Sequence, residues 1–156
     1  MLARSLALAE VLLATGGPLP YYSSTVTKQQ ETVVVVDDEP DIRAVVRGIL
    51  EAKGYTVMDT GDPHQALRWA AQQPVDLLLT DVIMPLMKGT ELAQRFQALS
   101  PWTKVLLMSA YKVAEITTSA QPFIAKPFTP DALAERVRQL LGPPSPFARR
   151  PPRPQS

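Results

Sequence analysis

The sequence predicts an α/β fold in which a five-stranded parallel sheet carries helices on both faces. Short apolar runs rich in valine, leucine and isoleucine alternate with segments in which apolar residues recur every three or four positions. The first pattern is typical of strands buried on both faces, and the second of amphipathic helices. Because strands that alternate with helices assemble into parallel sheets with right-handed crossovers, we expect a doubly wound sheet in one domain.

The first half of this pattern begins with four consecutive valines, at residues 33–36, which predict a fully buried strand. Over residues 39–53 the apolar side chains fall on one helix face, and Gly54 follows as a helix C-terminal glycine often does. Residues 55–58 predict a second strand. Asp62 and Pro63 then suit the N-cap and the first position of a helix that runs to about residue 73.

Three more strands and two helices complete the predicted sheet. The later strands are predicted at residues 77–80, 104–108 and 122–125. Between the first two of these, residues 90–99 place their apolar side chains on one helix face. Thr129 and Pro130 again suit a cap and a first helical position, and this last helix is predicted to end at Leu141, before a glycine and two prolines.

The two flanks differ in composition from this central domain, which we place at residues 32–141. We interpret residues 1–31 as an extension or linker. Their apolar start, residues 2–15, is too short to span a membrane, and Glu10 within it favours a short amphipathic helix or the remnant of an upstream segment over an export signal. Residues 142–156 are rich in proline and arginine, and we predict a disordered tail.

Composition excludes several classes of site. The chain has no cysteine, so it has no disulfide, no thiolate metal site and no cysteine nucleophile. Its single histidine, His64, lies at a predicted helix start, and we interpret it as a surface residue. Residues 31–141 carry 11 basic and 14 acidic residues, and this mildly acidic balance argues against a nucleic-acid-binding face on the domain.

Chemically active side chains follow four of the five predicted strands. Asp37 and Asp38 come directly after the first strand, Asp81 after the third, Ser109 after the fourth and Lys126 after the fifth. Ligand sites of open parallel sheets lie beyond the carboxyl ends of the strands, so we expect these side chains to converge at one edge. Taken singly, each is an ordinary solvated charge at a strand end; together they predict a site.

Three neighbouring carboxylates repel one another strongly unless a cation lies between them. A hard divalent ion with oxygen ligands satisfies this requirement, and Mg²⁺ is favoured because it accepts few protein ligands and several waters. Lys126 adds a second positive charge. A metal ion, an ammonium and a hydroxyl around a carboxylate form a site suited to receive a phosphoryl group, with one carboxylate attacking phosphorus in line.

Four segments also resemble the receiver domain of two-component response regulators. They are VVVVDDEPDIR, LLLTDVIMPLMKGTEL, VLLMSA and FIAKPF, in the order in which that family carries them. The resemblance extends from about Thr32 to Leu141. It implies a flavodoxin-like sheet with strand order 2-1-3-4-5. It also implies a phosphoacceptor signalling module, not a conventional enzyme, whose partners are a sensor histidine kinase or phosphotransfer protein and an unknown downstream protein.

The resemblance assigns roles to the residues at the strand ends. Asp81 matches the phosphoacceptor, and Lys126 matches the lysine that contacts the phosphoryl group. Asp38 matches the direct Mg²⁺ ligand and Asp37 its partner, often acting through water. The main-chain carbonyl of Ile83 would complete the protein's contacts with the metal.

Further positions match the switch and the loops of this family. Ser109 matches the hydroxyl that moves toward the phosphoryl group, and Phe123 the aromatic that rotates in response, although a plain core aromatic is the alternative for Phe123. Because phenylalanine has no hydroxyl to hold it at the surface, we expect its inward position to be favoured even without phosphate. Pro85 and Gly89 would shape the loop after Asp81, and Pro127 the loop after Lys126.

Two departures from the family pattern modify these expectations. Only 17 positions separate Ser109 from Lys126, so we expect the fourth helix of the family to be short or missing, as in receivers attached to hybrid sensor kinases. The use of a helix 4–strand 5–helix 5 face for output is therefore not carried over. Bulky Ile83 and Tyr111 flank the route of a hydrolytic water and predict a slowly hydrolysing phosphoaspartate.

Alternative functions remain beside the phosphoacceptor module. A receiver fragment of a hybrid kinase and a phosphate-independent interaction module are both compatible with the sequence. A phosphatase of the aspartyl-phosphate type needs an acid two residues after its nucleophile, where this chain has Ile83. After Leu141 the tail is too short and proline-rich for a helix-turn-helix, so we expect no direct DNA binding. A phosphohistidine donor made from ATP implies a cytoplasmic location.

Overall fold

A computed structural model describes residues 30–110 and 120–142. Its elements alternate along the chain. The strands are β1 (Thr32–Val36), β2 (Thr56–Thr60), β3 (Leu77–Asp81), β4 (Lys104–Ser109) and β5 (Phe123–Ala125). The helices are α1 (Pro40–Ala52), α2 (Pro63–Gln72), α3 (Gly89–Leu99) and α4 (Pro130–Leu141).

The five strands form one parallel sheet in the order β2-β1-β3-β4-β5. This confirms the predicted fold class and strand order. β3 lies at the centre, paired with β1 on one side and β4 on the other, and all five of its residues are buried. β2 and β5 form the two edges. Because β1, β3 and β4 are neighbouring parallel strands, their carboxyl-terminal residues lie side by side at the carboxyl end of the sheet.

Alternate strand residues face two separate apolar layers. In β1, Val34 and Val36 pack with side chains of α2 and α3, whereas Val33 and Val35 pack with side chains of α1 and α4. This period-two division explains why the valine run has no polar member, since a parallel strand covered on both faces must be apolar on both. The largest fully buried side chain of the first layer is Phe96.

The predicted helix starts are confirmed at α2 and α4. The carboxylate of Asp62 accepts a hydrogen bond from the main-chain N–H of His64 at 2.9 Å, and Thr129 accepts one from Ala132 at 3.1 Å. Each cap is followed by a proline in the first turn. His64 is exposed, as expected for a surface residue.

The observed strands differ from the predicted ones mainly at their ends. β2 runs two residues past the predicted end at Met58, because its full length pairs with β1 and a polar Asp59 is tolerated on an edge strand. β3 and β4 each gain one residue, so that Asp81 and Ser109 belong to the strands themselves. β5 begins at Phe123, one residue later than predicted, since Pro122 has no N–H to donate.

Several expectations concern residues outside the described ranges. The N-terminal extension up to residue 29, the Pro/Arg-rich tail from residue 143, the shortened fourth helix and Tyr111 all lie there. Among the described helices, none is long and apolar enough to cross a membrane.

Candidate functional site at the carboxyl edge of the sheet

Three carboxylates meet beyond the ends of β1 and β3. One ligand oxygen from each of Asp37, Asp38 and Asp81 lies within 4.8 Å of the others. Asp37 is completely buried, Asp81 is 8% exposed, and Asp38 is exposed. The cluster therefore has a closed inner side and an open outer side. The predicted convergence of these acids is observed because β1 and β3 are adjacent parallel strands.

Lys126 reaches this cluster from the end of β5, an edge strand of the sheet. Its ammonium Nζ lies 2.7 Å from Oδ2 of Asp37 and 3.4 Å from Oδ2 of Asp81. The lysine follows β5 directly, and its main-chain N–H donates to the carbonyl of Ser109 at 2.8 Å. The peptide bond between Lys126 and Pro127 is cis. One cation thus bridges the two less exposed carboxylates of the three.

Asp37 is hydrogen-bonded through each of its four polar atoms. Its carboxylate accepts from the main-chain N–H of Glu39 at 2.9 Å and from Nζ of Lys126 at 2.7 Å. Its main-chain N–H donates to the carbonyl of Thr60 at 3.3 Å, and its own carbonyl accepts from Nη1 of Arg43 at 2.7 Å. A buried carboxylate is tolerated when its bonding capacity is met in this way.

Asp81 is held in a defined orientation. The main-chain N–H of Val82 donates to its Oδ1 at 2.8 Å, which leaves Oδ2 as the oxygen nearer Lys126. Burial raises the pKa of the Asp81 carboxyl above its usual value, and the negative charge of Asp37 adds to this effect, while Lys126 opposes it. Charge on Asp81 is therefore costly in the absence of a further cation.

The pKa of Lys126 is shifted in the direction that keeps its charge. Burial alone would lower it, but the hydrogen bond and charge of Asp37, together with Asp81, outweigh burial and raise the pKa above its usual value. The ammonium is therefore a permanent positive charge of the cluster at neutral pH. One such charge does not balance three carboxylates.

The composition of the cluster suits a hard divalent cation. Its donors are carboxylate oxygens, and one of the three carboxylates faces solvent, from which water ligands can complete the coordination. The acidic triad is thus able to hold a metal ion. Lys126 pairs with Asp37 and Asp81, and the third carboxylate, that of Asp38, is the exposed one.

The loop after Asp81 is shaped by two of the predicted residues. Met87 donates its main-chain N–H to the carbonyl of Pro85 at 2.9 Å, the hydrogen bond of a γ-turn, and the residue between them, Leu86, has a φ of 74°. Gly89 donates its N–H to the Val82 carbonyl at 2.8 Å. This contact folds the loop back against the end of β3.

Gly89 is required by the closeness of this approach. A Cβ atom on residue 89 would lie 1.9 Å from the carbonyl oxygen of Asp81, well inside van der Waals contact. Ile83, in the same loop, is 57% exposed.

Ser109 and Phe123 occupy different environments. Ser109 ends β4, is 2% exposed and is in register with Ala125 of β5. On its other side β4 pairs with β3, the strand that ends at Asp81. Phe123 begins β5, and its residue is 47% exposed. The expectation of an inward Phe123, and the alternative of a core aromatic, are both contradicted. β5 is an edge strand of three residues, and both Phe123 and Ala125 are exposed on it.

The sequence reasoning missed Arg43 and Gly61. Arg43 lies in the first turn of α1, and its guanidinium contacts both the Asp37 carbonyl and the carboxylate of Asp59 on β2. Gly61, directly after β2, leaves the space that this guanidinium occupies. The available signal was an arginine within the segment DDEPDIR, five residues after the acidic pair and in the first turn of the helix that begins at Pro40.

Comparison with known proteins agrees with this geometry. A family model described as the response regulator receiver domain matches residues 33–138. The chain is 31% identical over 118 residues to TcrX of Mycobacterium tuberculosis, described as a probable transcriptional regulatory protein, covering 72% of this chain and 50% of TcrX. The first curated relatives are longer proteins, and the chain spans half of their length or less.

Solved structures show the same fold. The receiver domain of the hybrid histidine kinase CckA matches with a TM-score of 0.63 and 33% identity, covering 71% of this chain and 99% of that domain. The response regulator TrrA of Thermotoga maritima, in complex with Mg²⁺-BeF, matches with a TM-score of 0.65 and 30% identity, covering 71% and 99%. The chain therefore belongs to the response regulator receiver domain family.

Proposed function

We propose that this chain accepts a phosphoryl group on Asp81 from a phosphohistidine of a sensor histidine kinase or phosphotransfer protein. The observation that supports this most directly is the bridge of Lys126 between Asp37 and Asp81 inside a cluster of three carboxylates. Phosphoacceptor signalling is the role of the family to which the chain belongs.

In the proposed reaction, a carboxylate oxygen of Asp81 attacks phosphorus, and the bond between phosphorus and the donor imidazole nitrogen breaks. The imidazole keeps the electron pair and takes up a proton, and the phosphoryl group becomes an acyl phosphate on Asp81. The hydrogen bond from Val82 holds the Asp81 carboxylate in one orientation before the attack. Lys126 lies close enough to Asp81 to contact the incoming phosphoryl oxygens.

We assign the proposed Mg²⁺ to Asp38, Asp81, the main-chain carbonyl of Ile83 and, in part through water, Asp37. The bound ion would supply charge neutralisation between carboxylates and phosphoryl oxygens. Asp38 suits a direct ligand because it is exposed to the solvent that delivers the ion. Asp37 suits a supporting role because its carboxylate already accepts two hydrogen bonds.

The proposed output is a change at the β4–β5 end of the sheet. Phosphorylation adds negative charge and strong acceptors beside Ser109, which would move to hydrogen-bond them. The vacated space would admit Phe123, whose outward position in the unphosphorylated structure leaves it free to rotate inward. We further infer slow hydrolysis of the phosphoaspartate, since Ile83, two residues after Asp81, is bulky at the position that the family resemblance places beside the route of the attacking water. An unknown downstream protein would read the altered surface.

Two arrangements of the whole protein are compatible with this site. The chain acts either as a separate response regulator or as the receiver of a hybrid histidine kinase. The match to the receiver of the hybrid histidine kinase CckA supports the second arrangement. Because the proposed phosphohistidine is made from ATP, we expect the reaction in the cytoplasm.

The function is tested by measuring intact-protein mass after incubation with acetyl phosphate, with and without Mg²⁺. We expect a Mg²⁺-dependent phosphoryl adduct in the wild type and none in Asp81→Asn. Asp131→Asn, which removes an exposed carboxylate at the start of α4, is the matched control and should retain the adduct. No adduct on the folded wild type would favour a phosphate-independent interaction module instead.

A further inference from the structure

The guanidinium of Arg43 joins three elements at the edge of the acidic cluster. Its Nε donates to Oδ2 of Asp59 on β2 at 3.1 Å, and its Nη1 donates to the main-chain carbonyl of Asp37 at 2.7 Å. The side chain is 20% exposed. Because the arginine itself belongs to α1, these bonds connect α1 and β2 to the turn in which β1 ends.

The carbonyl that Arg43 contacts lies in the peptide between the two aspartates. Its oxygen belongs to Asp37, and the nitrogen of the same peptide belongs to Asp38. A short hydrogen bond from a charged donor is stronger than a neutral one, so this peptide plane is firmly oriented. The orientation of that plane sets the directions in which both carboxylates leave the main chain.

Gly61 keeps this contact possible. A Cβ atom on residue 61 would lie 2.9 Å from Nη1 of Arg43 and 3.6 Å from the carbonyl oxygen of Asp37. The nearest atom is the end of a long side chain, which moves more readily than main chain. An alanine at this position would therefore displace the guanidinium without changing any charge.

Arg47 provides a natural comparison one turn further along α1. It also pairs with Asp59, and it donates to Glu51 and to the carbonyl of Val57. These partners lie on α1 and β2, whereas Arg43 contacts the acidic pair as well. Arg47 is also more exposed, at 45% of its side chain.

We propose that Arg43 is a positioning residue for the metal pocket, which it serves by fixing the peptide between Asp37 and Asp38. The proposal rests on the Mg²⁺ site of the proposed function. Arg43 contacts neither the metal nor the phosphoryl group; it acts on the two carboxylates through the main chain that carries them. Second-layer contacts of this kind typically change metal affinity by about 10- to 100-fold when they are removed.

The charge of Arg43 and its positioning role predict opposite changes in Mg²⁺ affinity when the arginine is replaced. Removing a cation near three carboxylates would strengthen the binding of another cation, because the local potential becomes more negative. Positioning predicts weaker binding, because the carboxylates lose their common orientation. The direction of the change in Mg²⁺ affinity therefore separates the two roles.

The experiment is a calorimetric titration of the unphosphorylated protein with Mg²⁺, with thermal unfolding used to choose a temperature at which each variant is folded. We expect Arg43→Gln and Gly61→Ala to weaken Mg²⁺ binding by about 10-fold. Arg47→Gln should stay close to the wild type. Arg43→Lys should bind Mg²⁺ more tightly than Arg43→Gln but more weakly than the wild type, since an ammonium cannot reproduce the planar contact of the guanidinium with both Asp59 and the Asp37 carbonyl.

Two results would overturn the proposal. Equal or tighter Mg²⁺ binding by Arg43→Gln and Gly61→Ala, with a wild type that binds normally, would show that Arg43 acts only as a charge or a structural brace. A wild type that binds no Mg²⁺ would remove the basis of this proposal and of the proposed metal site together. Because the readout is binding, it does not depend on whether Asp81 becomes phosphorylated.

Discussion

Nζ of Lys126 lies 2.7 Å from Oδ2 of Asp37, although 89 positions separate the two residues in the sequence. The Asp37 side chain has no exposed surface, and that of Lys126 is 12% exposed. The pair joins the end of the edge strand β5 to the end of β1, and β3 and β4 lie between these two strands in the sheet. Removing one partner of such a pair leaves the other as a buried charge without compensation.

Lys126→Met should therefore lower the free energy of unfolding in Mg²⁺-free buffer. The expected loss is about 3 kcal/mol, near the lower end for a broken buried pair, because Asp37 keeps its bond from the Glu39 N–H. Saturating Mg²⁺ should stabilise this variant more than it stabilises the wild type, since the ion replaces the missing charge. Urea denaturation with and without Mg²⁺ measures both effects.

Lys53→Met is the control for this comparison, because it removes an exposed lysine at the end of α1. Its free energy of unfolding should match that of the wild type. A Lys126→Met protein as stable as the control would show that the buried ion pair contributes no net stability.

Asp81→Asn should raise the melting temperature at neutral pH without Mg²⁺. The folded-state pKa of Asp81 is raised, chiefly by burial, so folding favours the protonated carboxyl. The protonated carboxyl of Asp81 contributes to the free energy of unfolding. This contribution is complete below the unfolded-state pKa, and it is lost as the pH rises through the folded-state pKa. Ionised Asp81 therefore destabilises the metal-free fold, and a neutral asparagine removes this cost.

The gain from Asp81→Asn should shrink as the pH falls through the folded-state pKa, where the wild-type carboxyl becomes neutral too. Thermal unfolding between about pH 4 and pH 7 covers the range in which a raised aspartate pKa acts. A variant less stable than the wild type at pH 7 would contradict this prediction, and would indicate that the attraction of Lys126 outweighs burial.

Gly89→Ala should destabilise the fold by about 3 kcal/mol, because its new methyl group would collide with the Asp81 carbonyl and push α3 away from the end of β3. Gly48→Ala is the matched control within α1, where a Cβ meets nothing within 4 Å. That change should stabilise the protein by about 0.5–1 kcal/mol. Denaturant unfolding of both variants gives the comparison, and similar values for the two would refute the close approach at residue 89.

Phe123→Trp should report the proposed switch by fluorescence. The residue is 47% exposed in the unphosphorylated structure, so the new indole should emit at long wavelength. After acetyl phosphate and Mg²⁺ are added, inward rotation should shift the emission to shorter wavelength. The parent protein, with Trp69 and Trp102, supplies the background spectrum, and the double variant with Asp81→Asn should not respond. An unshifted emission from protein that carries the phosphoryl adduct would exclude this rotation.

Much of the site was predictable because parallel strands end at a common edge. Asp37, Asp38, Asp81 and Lys126 could be placed together from strand order in the chain alone, without knowledge of any side-chain contact. Gly89 was predictable only through the family resemblance, and the reason for it, its approach to the Asp81 carbonyl, became visible in the structure.

The contacts of α1 were not predictable in the same way. The bonds from Arg43 to Asp59 and to the Asp37 carbonyl depend on how far β2 extends, and the apolar pattern ended that strand before Asp59. The exposure of Phe123 was also missed. An aromatic in a strand predicts burial only where a neighbouring element covers the strand, and sequence periodicity does not show whether β5 is covered.

The small size of β5 has a consequence for the proposed switch. β5 pairs with β4 through three residues and forms an edge, whereas β3 pairs over more residues on both sides. Local opening of β5 therefore breaks fewer hydrogen bonds, and its amides should exchange with solvent faster than those of β3. Asp81, the proposed acceptor, belongs to β3, which we expect to open least often, and Phe123 belongs to β5, which we expect to open most readily. A downstream partner of the proposed switch would thus reorganise β5 at small energetic cost while the acidic cluster keeps its geometry.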